Sequence, residues 1–348
     1  MSLIRPNVAA LRPYVPGEQP QDSGWIKLNT NENPFLAPQV AEAVAEAAND
    51  ALRLYPDPLF VELRQRISER YGVPPEQIIC GNGSDDLLTL AVRITAGEGD
   101  RVAYPDPSYS LYETLAQIQN AFPVGVPLGP EWELPVDALA AIGARLTLVA
   151  NPNAPTGTPY RLADLQRLAE AVDGLLLVDE AYVDFGGETA LPLVSERENV
   201  LVLRTFSKSF GLAGVRLGYA FGSVPVIEAM YKVKDSYNVD RLTQVAGIAA
   251  MDHYEAAMEN AREVAARRDR YAEALRQRFG WRVWPSATNF MLVDTSPRSA
   301  RDVYEGLKQH RILVRYFNRP RIENAVRISV GTEQEMAALV EALGRMLP

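Results

Sequence analysis

Cysteine and histidine are almost missing from this sequence. Cys80 is the only cysteine, which excludes an intrachain disulfide and a cysteine-cluster metal site. It follows Ile78-Ile79 and is expected as a small buried side chain. His253 and His310 are the only histidines, and neither has a second histidine at ligand spacing. Zinc chemistry and histidine-based hydrolysis therefore lack their residues, and no metal is expected. No apolar run approaches the roughly 18 residues of a membrane span, and Met1-Ser2-Leu3-Ile4-Arg5-Pro6 has no continuous apolar stretch of the signal-peptide kind. A cytoplasmic protein with no membrane partner is expected. Positive charge is also short: the formal net charge is -9, which repels nucleic acid and anionic lipid. Any anionic ligand must be held by local arginines. No Gly-Lys-Ser/Thr phosphate loop occurs, and Gly81-Asn82-Gly83-Ser84-Asp85-Asp86 has Asp86 where a dinucleotide fingerprint needs its third glycine. A nicotinamide dehydrogenase is disfavoured.

What is present is the make-up of an ordinary soluble globular protein, 47% apolar and 23% charged, with 348 residues to bury a large core and a smaller one. Apolar runs of strand length, such as Leu146 to Ala150 and Val200 to Leu203, alternate with helical periodicity through the first two thirds. That alternation predicts an α/β fold with a mainly parallel central sheet and flanking helices. Short strands and two helices after residue 279 predict a smaller α+β carboxyl-terminal domain. The expected organisation is an extended arm over 1–34, a large domain over 35–245 and a small domain over 246–348. The charged stretch Arg262 to Arg270 reads as a solvated helix face.

One lysine stands apart. Lys208 lies among small residues in Thr205-Phe206-Ser207-Lys208-Ser209-Phe210-Gly211, directly after an apolar strand, with Arg216 eight positions on. Lysines that serve solubility sit on polar helix faces among other charges, so Lys208 is a candidate nucleophile toward a carbonyl. Asp179 follows Leu175-Leu176-Leu177-Val178 and is expected at the carboxyl end of a buried strand, where open α/β sheets bind their ligands. Gly83 and its neighbours open a helix whose first amides can bind an anion, be capped by Ser84 or Asp85, or both. A carboxylate, an amine and an arginine at neighbouring strand ends suit a ligand with a cationic ring nitrogen, an aldehyde and a phosphate. Pyridoxal phosphate has all three.

At this point the sequence resembles the fold type I pyridoxal-phosphate enzymes and, within them, the histidinol-phosphate aminotransferases. The motifs run nearly end to end: Leu11 to Gly17, Asn31-Glu32-Asn33-Pro34, Tyr55-Pro56-Asp57-Pro58, Gly81 to Asp85, Asn151 to Gly157, Asp179 to Tyr182, Ser207 to Arg216 and Arg327 to Gly331. The resemblance implies catalytic roles for Lys208, Asp179 and Tyr182. It implies that Gly83 and Asp85 belong to the cofactor site, that Ser84, Thr205, Ser207 and Arg216 hold the cofactor phosphate with backbone amides at the helix start, that Tyr109 stacks on its ring, and that Tyr55 reaches the phosphate across a homodimer interface. Tyr14, Arg315 and Arg327 are implied as substrate contacts, with histidinol phosphate and glutamate/2-oxoglutarate as substrates and shared active sites between subunits. One departure matters: Ala154 stands where the family has an asparagine that bonds the cofactor's phenolic oxygen. Either Asn153 substitutes or Tyr182 acts with less help. An aromatic amino-acid aminotransferase and a threonine-phosphate decarboxylase share nearly all these cofactor residues; a silent cofactor-sensing regulator is expected to carry a DNA-binding module as well.

Overall fold

The computed structural model describes residues 3–11 and 17–346. Its strands, in chain order, are β1 (Ile26–Lys27), β2 (Ile78–Gly81), β3 (Arg101–Asp106), β4 (Phe122–Pro127), β5 (Leu146–Ala150), β6 (Leu175–Asp179), β7 (Val200–Thr205), β8 (Gly218–Gly222), β9 (Arg282–Val283), β10 (Phe290–Asp294), β11 (Ile312–Leu313), β12 (Arg315–Tyr316) and β13 (Ala325–Ser329). Among the described residues the main sheet has seven strands in the order β2-β8-β7-β6-β5-β3-β4. Strands β4, β3, β5, β6 and β7 run parallel, and β8 is antiparallel to both β7 and β2.

The period of two along each strand sorts the apolar side chains into two cores. Ala103, Val149, Leu176, Val178, Val200 and Val202 face one layer of helices. Val102, Leu148, Leu175, Leu177, Leu201 and Leu203 face the other. Burial on both faces is why these strands read as continuous apolar runs. A second sheet, β12-β13-β10-β9, is antiparallel and packs against the helices Ala300–Gln309 and Glu333–Met346 around Met291, Val326, Ile328 and Leu339. A mixed, mainly parallel sheet with flanking helices and a small antiparallel sheet is the fold type I arrangement.

Packing crosses the expected unit boundaries. Ala246 and Ala250, on the helix Arg241–Asp252, belong to the large core, and the 26-residue helix Tyr254–Phe279 carries Ala257 and Met258 into that core and Ala272 and Leu275 into the small one. At 1.5 Å per residue it spans about 39 Å and ties the two cores together. Part of the expected arm also belongs to the small core: β1 pairs parallel with β11, and Leu28 is fully buried there. The charged stretch is not wholly solvated either. Arg267 and Arg268 are buried, with Arg267 Nη1 donating to the Gly331 carbonyl at 2.7 Å and Arg268 Nη1 to the Thr288 carbonyl at 2.8 Å. Loop carbonyls that no strand satisfies supply the acceptors. The expected burial of Cys80 is met, and its thiol is pushed up to about 12 by that burial. The short helices Leu191–Glu196 and Val224–Val233, each with a proline in its first turn, have no counterpart in the sequence reading.

Candidate active site

The carboxyl ends of β5, β6 and β7 open into a cavity of about 290 Å³ that both sheets help to line. Asp179 ends β6, with Ala150 and Leu203 as its neighbours on β5 and β7. It is 5% exposed. The Tyr112 hydroxyl donates to Asp179 Oδ2 at 2.9 Å, and the Ala181 amide donates to Oδ1 at 3.2 Å. Burial pushes the Asp179 carboxyl up to about 6, with Asp85 and Glu180 adding to the rise while Tyr112 and Ala181 oppose it.

The lysine loop leaves β7 and is pinned from two sides. The Ser207 amide donates to Thr205 Oγ1 at 3.1 Å, and Asn33 Nδ2 donates to the carbonyls of Lys208 and Ser209 at 2.9 and 3.0 Å. Lys208 is half-buried. Its Nζ donates to the carbonyls of Thr30 and Asn31 at 3.3 Å each and lies 5.6 Å from the centre of the Tyr182 ring. Behind the loop, Arg204 and Glu180 form a buried ion pair at 2.8 Å that joins β7 to the residue after Asp179.

An anion-binding corner adjoins this group. The helix Ser84–Thr95 starts at Gly83, whose φ of 79° is a left-handed value that glycine adopts freely. A Cβ at Gly83 would lie 2.6 Å from Arg216 Nη2, and one at Gly218 would lie 2.7 Å from the Ser84 amide nitrogen. The two glycines thus keep a cradle between the helix start and the guanidinium. Arg216 Nη2 pairs with Asp85 Oδ2 at 3.2 Å, and Nη1 reaches Ser207 Oγ at 3.4 Å. Both partners of the ion pair are more than 40% exposed, so the pair is weak and exchangeable for a ligand anion. The Tyr109 hydroxyl donates to the other Asp85 oxygen at 3.2 Å.

The opposite wall comes from the small sheet. Arg315 on β12 and Arg327 on β13 are register partners, and both line the cavity. Arg327 Nη2 donates to the Asn29 carbonyl at 2.9 Å, and its guanidinium lies over the rings of Phe290 and Phe317 at 5.0 and 5.5 Å.

The cavity therefore gathers Lys208, Asp179, Tyr182, Ser84, Asp85, Tyr109, Thr205, Ser207, Arg216, Arg315 and Arg327. Asn153 is not in its lining. Its amide is consumed by the loop after β3 and by its own loop, accepting from Ser108 Oγ at 3.0 Å and donating to the Pro107 carbonyl and to Thr156 Oγ1, while Ala154 lines the cavity. Tyr55 is 77% exposed, stacked on Tyr237 at 4.4 Å, and does not line the cavity of its own chain. Tyr14 lies outside the described residues. Three residues to which sequence reasoning gave no role enter the site's hydrogen-bond network, Tyr112 and, inside two of the quoted motifs, Asn31 and Ser329. Tyr112 sits in the first turn of the helix Leu111–Ile118, three residues after Tyr109, whose carbonyl accepts from its amide at 3.1 Å. Asn31 Nδ2 donates to the Tyr182 hydroxyl at 2.9 Å, and Ser329 holds Asn31.

A sequence-family model, Aminotransferase class I and II, matches residues 23–343. The chain belongs to the class I and II aminotransferases. Membership makes it a transaminase that depends on pyridoxal phosphate. This aminotransferase is 42% identical to histidinol-phosphate aminotransferase 1 of Trichormus variabilis, over 99% of each chain. It is also 42% identical to histidinol-phosphate aminotransferase of a Geobacter species, over 100% of this chain and 99% of the relative. The solved structure of histidinol-phosphate aminotransferase from Sinorhizobium meliloti in complex with pyridoxal-5'-phosphate matches it with a TM-score of 0.92 at 29% identity, covering 99% of this chain and 97% of that one.

Proposed function

We propose that this aminotransferase exchanges the amino group between histidinol phosphate and 2-oxoglutarate/glutamate in histidine biosynthesis, and that it works in the cytoplasm. The observation that carries the reading is the register pairing of Arg315 with Arg327 in the cavity that holds Lys208 and Asp179. Two guanidiniums on one wall suit substrates whose common feature is an anion, carboxylate in one and phosphate in the other. Full-length relatives named for histidinol phosphate support that substrate over others.

The residues present fit pyridoxal phosphate. The cradle left by Gly83 and Gly218 gives the phosphate the Ser84 amide, the helix start and Arg216. Asp179, half-way to protonation near pH 6 when alone, suits a partner that is itself cationic. Bound there, the cofactor supplies an aldehyde carbon and an electron-withdrawing ring. Asp179 holds a proton on the ring nitrogen. Tyr109 packs against the ring, and Tyr182 donates to its phenolic oxygen. Lys208 Nζ would anchor the cofactor and, once the substrate's amino group had displaced it, would be the free amine placed to take the proton from the substrate carbon that bears the amino group. Arg327, which donates to the Asn29 carbonyl next to the Thr30 and Asn31 carbonyls that receive Lys208, grips the anion closest to the reacting carbon, and Arg315 the more distant one.

A homodimer with shared sites completes the reading. Tyr55 is exposed amid the exposed apolar residues Leu52, Leu54, Leu59 and Val61, a surface suited to a second copy of the chain. Mixing a Tyr55→Ala variant with a Lys208→Ala variant should restore part of the activity through heterodimers; no recovery after demonstrated subunit exchange argues for self-sufficient chains.

Single-turnover absorbance of the cofactor-loaded enzyme with histidinol phosphate, phenylalanine, tyrosine and threonine phosphate tests the substrate. Fastest amino-group transfer from histidinol phosphate is expected. A faster reaction with the aromatic amino acids, or release of carbon dioxide from threonine phosphate, overturns it.

A further inference from the structure

The hydrogen bonds around Asn31 orient its side-chain amide. Ser329 Oγ accepts from the Asn31 backbone N–H at 2.8 Å and lies 2.9 Å from Asn31 Oδ1. Among the described residues Asn31 Oδ1 is the only acceptor within reach of the Ser329 hydroxyl, which is 2% exposed, so its one proton goes to Oδ1. The carboxamide oxygen therefore faces Ser329, and its NH₂ faces the Tyr182 hydroxyl at 2.9 Å. An amide NH₂ only donates, so the Tyr182 oxygen is the acceptor, and its own proton is directed away from Asn31. The backbone that carries this amide is equally fixed. Asn31 is 2% exposed with φ 56°, and its carbonyl accepts from Asn289 Nδ2 at 2.8 Å and from Lys208 Nζ at 3.3 Å.

We propose that Asn31 is a positioning residue that sets the direction of the Tyr182 proton, so that Tyr182 presents a donor to an anionic aryl oxygen in the cavity. This deepens, and rests on, the reading that Tyr182 contacts the phenolic oxygen of pyridoxal phosphate. It also accounts for Ala154, which has no donor to offer the cavity: the carboxamide acts from the amino-terminal segment, through Tyr182, instead of from the loop after β5. The small sheet takes part, because Ser329 on β13 is what orients the amide.

The test uses the full-length protein with added pyridoxal phosphate. Asn31→Gly keeps the left-handed backbone, the amide N–H and the carbonyl and removes only the carboxamide. Tyr182→Phe removes only the hydroxyl. Two quantities are read: the dissociation constant for pyridoxal phosphate, and the pH at which the visible absorption of the bound cofactor changes. Each single variant should weaken the cofactor roughly three- to tenfold, the range of one hydrogen bond. Each should also raise the pH midpoint, because a lost donor disfavours the anionic aryl oxygen. The double variant should match Tyr182→Phe alone in both readouts. Losses that multiply in the double variant, or an Asn31→Gly protein with the wild-type midpoint, overturn the inference and leave the role of Tyr182 intact. A Tyr182→Phe protein unchanged in both readouts overturns the underlying reading and the inference with it. Should Asn31→Gly fail to fold, Ser329→Ala frees the amide to turn over and is expected to raise the midpoint only when Tyr182 is present; an equal rise in the Tyr182→Phe background contradicts the proposal.

Discussion

The fully buried Tyr112 hydroxyl donates to Asp179 Oδ2 at 2.9 Å, among the described residues the one side-chain donor on a carboxylate otherwise left to the Ala181 amide. A donor to a buried carboxylate favours its ionised form, which is the form needed beside a cationic ring nitrogen.

Tyr112→Phe keeps the ring packing against Tyr104 and Tyr109 and deletes only that donor. Hydrogen bonds to charged groups contribute about 1.5 to 3 kcal/mol, so the Asp179 midpoint in the cofactor-free protein should rise from about 6 by roughly one to two pH units. Carbon-13 NMR of the aspartate carboxyls reads it. An unchanged midpoint contradicts the assigned role.

Asp179→Asn should stabilise the cofactor-free fold while slowing turnover. Below about pH 4 the carboxyl is protonated in both folded and unfolded chains. Between there and about 6 the folded carboxyl keeps its proton while the unfolded one has lost it, so wild-type stability falls as pH rises and levels off above. Asparagine has no such slope. Its advantage should grow from nothing near pH 4 to about 3 kcal/mol above pH 6, an upper figure. Denaturant melts across pH measure it; a pH-independent difference, or an unchanged turnover number, counts against the account.

Arg327→Met should impair the half-reactions with both glutamate and histidinol phosphate, at a cost of roughly 2 to 5 kcal/mol for an anion left poorly matched in a desolvated site. Arg315→Met should affect the two unequally, since carboxylate and phosphate present their distal oxygens differently. Following each half-reaction separately by cofactor absorbance decides it, and equal, small losses in all four cases argue against either arginine as an anion contact.

Much of this site was legible in the sequence because its parts are local. Strand β5 and the helix Glu333–Met346 begin and end where periodicity predicts them, and Asp179 and Lys208 follow apolar runs whose strand ends put them in one cavity. What was not legible depends on contacts between distant segments. Asn31 meets Ser329 across 298 positions, and Tyr112 meets Asp179 across 67. Arg267 and Arg268 look solvated in a charged run because their acceptors are loop carbonyls far along the chain. Asn153 was a fair candidate by adjacency to Ala154, but its amide is held between Ser108, 45 positions earlier, and Thr156 of its own loop, which local pattern does not reveal. The residues 26–28 read as arm because two strand residues are too short a run to show period two.

The central claim is that Lys208 carries the proton in amino-group transfer between histidinol phosphate and 2-oxoglutarate. Steady-state glutamate formation from these two substrates by purified Lys208→Ala, with cofactor present and the fold verified by circular dichroism, tests it most directly. The wild type is expected to turn over and the variant to fall to background while still binding cofactor. Near-wild-type glutamate formation by the variant would contradict the account.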